Sequence, residues 1–96
     1  MKPRVYFVVQ LGAFRKILLQ DEILAIGAKA GTKAIVIRTE TGLSLVVSVE
    51  SVSYEAIVAV RTRAVNGGIT DAFIAAYADG KRIPVAQARE SQKSSR

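Results

Sequence analysis

The sequence predicts a small, mainly β single-domain fold: paired antiparallel strands with at most one or two short helices. Three observations lead there. Val5, Phe7, Val9 and Leu11 alternate with Arg4, Tyr6, Val8 and Gln10, the two-residue period of a half-buried strand. Two runs rich in β-branched residues, 34–39 and 43–49, flank Glu40-Thr41-Gly42, the pattern of a short hairpin. Asp79-Gly80 separates residues 73–78 from 81–85, and Asp-Gly between apolar runs is a strong two-residue hairpin signal.

Taken in order, the first strand ends at Gly12. Residues 13–30 read in two ways. Phe14, Ile17, Leu18 and Leu24 can line one side of a helix, with Asp21 on the same side, or two strands, 14–19 and 23–26, can be split by Gln20-Asp21-Glu22. The strand reading is preferred. Gly27 and Gly31 bracket a loop with Lys29, Thr32 and Lys33, the glycines easing sharp backbone turns. After the central hairpin, residues 51–56 suit one helical turn capped by Ser51 or Ser53. Residues 57–65 resume strand composition, which puts Arg61, Arg63 and Val65 on one face and Val60, Thr62 and Ala64 on the other. Asn66-Gly67-Gly68 is a turn. Residues 70–79 have helical propensity, with Gly80 as a plausible cap, yet the Asp-Gly hairpin is preferred. One β-rich domain spans residues 1–88, and residues 89–96 form a basic, Ser-rich flexible tail.

Composition narrows function. The 96 residues suffice for one domain, and half are apolar, enough for a core without a staple. There is no cysteine or histidine, which removes disulfides, thiolate metal sites, the commonest metal ligand and the commonest general base. An enzyme is not expected, nor a cofactor. Met1-Lys2-Pro3-Arg4 before Val5 faintly imitates a signal peptide, but Gln10 and Arg15 interrupt the apolar run, and no run approaches a membrane helix. A cytoplasmic protein is expected. The net charge is +6, and residues 57–96 carry seven Lys or Arg against three acids. Such a surface attracts phosphate backbones.

Guanidinium and carboxamide groups hydrogen-bond base edges bidentately. Arg61, Arg63 and Asn66 therefore point to duplex DNA as the partner. The order of elements also resembles the LytTR family of bacterial DNA-binding domains. The resemblance rests on Asp21-Glu22-Ile23-Leu24 before a strand, a lysine-bearing loop, a hairpin, Arg61-Thr62 shortly before Val65-Asn66, then Asp79-Gly80 and Ile83-Pro84-Val85. It spans residues 14–90. It implies that Arg61 and Thr62 match the family's Arg-Ser pair, that Asn66 matches the Asn that follows, and that Lys29, Thr32 and Lys33 belong to a loop entering a neighbouring groove. Val60 replaces the family's His, and Ala86-Gln87 replaces its Ser-Arg. With Gln87 and Arg89, the expected DNA-contacting set is Lys29, Thr32, Lys33, Arg61, Thr62, Arg63, Asn66, Gln87 and Arg89. A small transcriptional regulator, dimeric on repeated half-sites, would use it.

Plainer readings stand beside this one. Arginines on an exposed strand edge deter aggregation, and Asn66 forms turns. Lys29 and Lys33 lack the spacing of a phosphate-binding loop. Tyr6, Tyr54 and Tyr77 lie too far apart in sequence for a stacking platform. Two other functions remain open, a self-associating β-domain and a single-strand nucleic-acid binder on a small barrel.

Overall fold

The computed structural model describes residues 4–94. Along the chain come β1 (Val5–Phe14), α1 (Gln20–Ala30), β2 (Ile35–Arg38), β3 (Ser44–Val47), α2 (Tyr54–Asn66), β4 (Phe73–Ala78), β5 (Lys81–Ile83) and α3 (Val85–Ser94). The strands make one antiparallel sheet in the order β2-β3-β1-β4-β5. A β-α-β-β-α-β succession in this order is the split βαβ arrangement, here extended by β5 and α3. The small single domain and antiparallel pairing agree with expectation; the class is mixed α/β and not mainly β.

Both hairpins form where the sequence put them. Ile35 pairs with Val47 and Arg38 with Ser44, while Ala78 pairs with Lys81 across Asp79-Gly80. Asp79 and Gly80 have φ of 50° and 84°, the doubly left-handed turn whose twist matches the flanking strands. Asp79 also ties the turn to β1: its Oδ1 accepts the Arg4 N–H and its N–H donates to the Arg4 carbonyl, both at 2.9 Å.

The helices depart from the sequence reading. Residues 20–30 form α1, not the end of a strand pair. Ile23, Ile26, Gly27 and Ala30 recur at helical spacing and face the core, a different set from Phe14, Ile17, Leu18 and Leu24. Glu22 accepts the Leu19 N–H at 3.1 Å at the start of α1, and Gly31 (φ 66°) closes it with bonds to the Ala28 and Gly27 carbonyls from Gly31 and Thr32. Residues 57–65, expected as a strand, lie inside α2. Tyr54, Ile57, Val60 and Ala64 turn inward at helical spacing, and the Ser53 side chain accepts the Ala56 N–H at the N-terminus. Capping and burial of that stripe outweigh the weak strand preference of Ile57, Val58, Val60 and Val65. The tail expected from residue 89 is helical through 94, because Ala88 buries completely and Val85 packs beside it, with Pro84 supplying the first carbonyl, to the Ala88 N–H at 3.0 Å. The expected boundary after residue 88 therefore falls within α3, and residues 95–96, like 1–3, lie outside the described residues.

The main core lies between one sheet face and the helices, built on Phe7, Val9, Leu11, Val46, Ile57, Ala64, Ala76 and Ala88. Phe7 and Val9 are fully buried, and Phe7 meets Tyr54 edge to face at 5.4 Å. Among the described residues no helix is long and apolar enough to cross a membrane.

Candidate functional site

The other sheet face carries its own apolar cluster, Val8, Val47 and Ala75, with Tyr6 and Tyr77 packed on it. Its position follows from register. Tyr6 pairs with Tyr77, Val8 with Ala75 and Gln10 with Phe73 along β1 and β4, so these side chains stand on the face opposite Phe7 and Val9. Past Gln10 an extra residue, Leu11, bulges β1 before Gly12 pairs with Val46. On β2, Ile35 and Ile37 pair with Val47 and Leu45.

A depression of about 180 Å³ opens on this face between Tyr6, Val8, Ile35, Ile37, Val47, Val49 and Tyr77, with Glu50 at its rim. The two tyrosine rings form an aromatic wall, 5.6 Å between centroids and 12° from parallel. Ile35 is 43% exposed, Ile37 39%, Val49 45% and Phe73 40%. Large apolar side chains left in water on one contiguous face mark a binding surface more often than a solvated one. Two guanidinium groups lie over the rings, Arg4 4.8 Å from the Tyr6 centroid and Arg82 5.6 Å from that of Phe73. Arg4 also ion-pairs with Glu50, and its hydrogen bond holds the Glu50 carboxyl below the usual carboxylate range. Polar groups at the depression include those of Tyr6, Tyr77 and the ionised Glu50 carboxylate, while the buried Ser48 hydroxyl is taken up by the Val9 N–H and the Val49 carbonyl.

The nine residues expected to contact DNA do not share a surface. Arg61, Thr62, Arg63 and Asn66 sit on α2, Lys29 in the last turn of α1, Thr32 and Lys33 in the loop after it, and Gln87 and Arg89 on α3. Two residues apart on a helix, Arg61 and Arg63 diverge, where a strand would have aligned them. Arg61 Nε donates to the Ala72 carbonyl at 3.2 Å and Thr62 Oγ1 to the Val58 carbonyl at 3.0 Å, both internal uses. Lys29 and Arg63 lie in the last turns of α1 and α2, where positive charge complements the helix dipole. The structure does bring these two turns together, because the Gly67 backbone meets the Lys29 carbonyl. Arg89, by contrast, lies 4.1 Å from the ring of Tyr54, the first residue of α2, about 20 Å along the helix from Asn66.

No family model matches the chain, and no curated protein does. Solved structures give a different result. A peptidoglycan-binding domain shares this fold. The solution structure of that domain, from the Bacillus subtilis cell wall lytic enzyme CwlC, superposes with a TM-score of 0.61 at 25% identity, covering 77% of this chain and 91% of that one. That likeness overturns the expectation of a DNA-binding transcriptional regulator with duplex DNA as its partner, and the half-site dimer falls with it. It has no bearing on the LytTR resemblance itself.

Sequence reasoning missed Tyr6, Tyr77, Ile35, Ile37, Val47, Val49 and Glu50. A signal was present. The strand residues meant to face water on β1 include Tyr6 and Val8, and Ile35-Val36-Ile37 and Leu45-Val46-Val47 are apolar without alternation. Strands apolar on both faces, beside too few helices to cover both, announce an exposed apolar face.

Proposed function

We propose that this chain is a peptidoglycan-binding domain that seats glycan against the uncovered sheet face. The observation that carries the proposal is the Tyr6–Tyr77 stack inside an apolar depression, on a fold shared with a domain described as peptidoglycan-binding. The chemistry suits the ligand. A pyranose ring offers a C–H face that packs on aromatic and aliphatic side chains, while the hydroxyl and acetamido groups around its edge need hydrogen-bond partners. Tyr6 and Tyr77 supply both an apolar body and a polar tip, and the exposed Ile35, Ile37 and Val49 extend the apolar contact. A few polar groups around a mostly apolar depression fix orientation without a heavy desolvation cost. The role is binding and not catalysis, and its place of work is the cell wall, not the cytoplasm.

Co-sedimentation with purified peptidoglycan, stripped of other wall polymers, tests this. The net charge of +6 would draw the protein to any anionic polymer, so the measurement belongs at ionic strengths where surface charge is screened. Pelleting that persists there is expected. Pelleting that vanishes with salt, or persists unchanged when the sheet face is altered, sinks the proposal.

A further inference from the structure

On the opposite side of the molecule from the tyrosine stack, α3 and the start of α2 flank an open cavity of about 150 Å³ at the surface, lined by Tyr54, Glu55, Arg89, Gln92 and Lys93. We propose that this cavity is a second binding site, for a small oxyanion of the carboxylate or phosphate class. The two cations stand four residues apart on α3, hence on one side of the helix. Like charges at that spacing repel in an otherwise empty helix surface. Among the described residues the ion pairs are Arg4–Glu50 and Lys16–Glu22, so within that set neither Arg89 nor Lys93 makes a contact ion pair with a carboxylate. Glu55 lines the same cavity without pairing with either.

Arg89 is pre-set for the role. Its guanidinium carbon lies 4.1 Å from the Tyr54 centroid, and Tyr54 is itself fixed edge-on against the buried Phe7. The contact holds the guanidinium beside the cavity, and its planar fork matches the two oxygens of a carboxylate or phosphate. Gln92 Nε2 donates to the Val52 carbonyl at 2.8 Å, which ties α3 to the segment leading into α2 and holds the cavity's two walls together. Lys93, exposed beside the cavity, adds a second positive charge.

The site is independent of the sheet face, and its test does not use peptidoglycan. Amide shifts of the labelled full chain are followed during titration with inorganic phosphate, with N-acetylalanine, and with N-acetylalanine amide as the uncharged control, chloride serving to match ionic strength. Saturable shifts gathered at Tyr54, Arg89 and Lys93 are expected with phosphate, N-acetylalanine or both, and not with the amide. Which anion saturates first assigns the source, a phosphoester or a peptide terminus. Lys93→Gln, at an exposed position, should weaken the binding about fivefold, and Glu55→Gln should strengthen it. Arg89→Lys should weaken N-acetylalanine binding more than charge alone explains, since the fork is lost. Shifts that never saturate, that appear equally with the amide, or that ignore Lys93→Gln and Glu55→Gln overturn the proposal.

Discussion

Tyr6 and Tyr77 stack with ring centroids 5.6 Å apart because they are directly opposed residues of β1 and β4. Directly opposed side chains on neighbouring strands are held within contact distance by the backbone. The aromatic wall of the depression is therefore rigid, fixed by the sheet and not by a loop.

Removing either ring should weaken peptidoglycan binding. Tyr77→Ala and Tyr6→Ala are each expected to reduce the affinity about three- to tenfold, the range of a single aromatic contact. Tyr77→Phe keeps the ring and should retain most of it. Co-sedimentation isotherms of the three variants check this, with circular dichroism to show that they remain folded.

Gly67 stands where a methyl group has no room. A Cβ there would lie 1.9 Å from the Lys29 carbonyl oxygen, and backbone on both sides cannot yield without prising apart the ends of α1 and α2. Gly67→Ala should cost about 1–3 kcal/mol, lowering Tm by about 4–8 °C for each kcal/mol. Gly42 has open space around it, so steric crowding there is absent and only its φ of 87° resists substitution. A Gly67→Ala variant that melts with the parent contradicts the close approach.

The Ser53 side chain caps α2 by accepting the Ala56 N–H at 3.2 Å. Ser53→Ala should destabilise by about 0.5–2 kcal/mol, and Ser53→Asp should restore the cap. Urea denaturation midpoints decide. Equal midpoints for all three would show that α2 is held by packing alone.

Acid should loosen the fold at two surface ion pairs. The Lys16 ammonium, then the Leu19 N–H, hold Glu22 below the usual carboxylate range, as Arg4 holds Glu50. A carboxyl whose folded pKa lies below its unfolded one adds stability above the unfolded value, and loses it as pH falls through the folded one. Stability is thus expected to be flat near neutrality and to decline below about pH 4.3. The decline should be shallow, because both pairs face water. Glu22→Gln should flatten it further in a urea series across pH, and an unchanged slope would exclude Glu22 as a source.

Local structure was legible wherever a few neighbouring residues settle it. Asp79-Gly80 and Glu40-Thr41-Gly42 gave their hairpins because turn geometry depends on backbone freedom at those positions. Helices α1 and α2 were not, since β-branched content in residues 57–65 favoured a strand and the deciding stripe, Tyr54-Ile57-Val60-Ala64, shows itself only once Phe7 and Val9 are there to receive it. The shared face expected of Arg61 and Arg63 went with that strand: the two align in a strand and separate in a helix. Tyr6 and Tyr77 sit near opposite ends of the chain, and no spacing rule joins them.

The amino-acid order by itself determined a single basic domain without cysteine or histidine, its first strand and its two hairpins, all of which rest on composition or on contacts between near neighbours. Only the tertiary structure decided that, among the described residues, three helices crowd one sheet face and leave the other bare, and that β1 meets β4 in the register that stacks two tyrosines. Those outcomes depend on which distant segments bury against each other, and burial is a property of the assembled chain, not of any window along it.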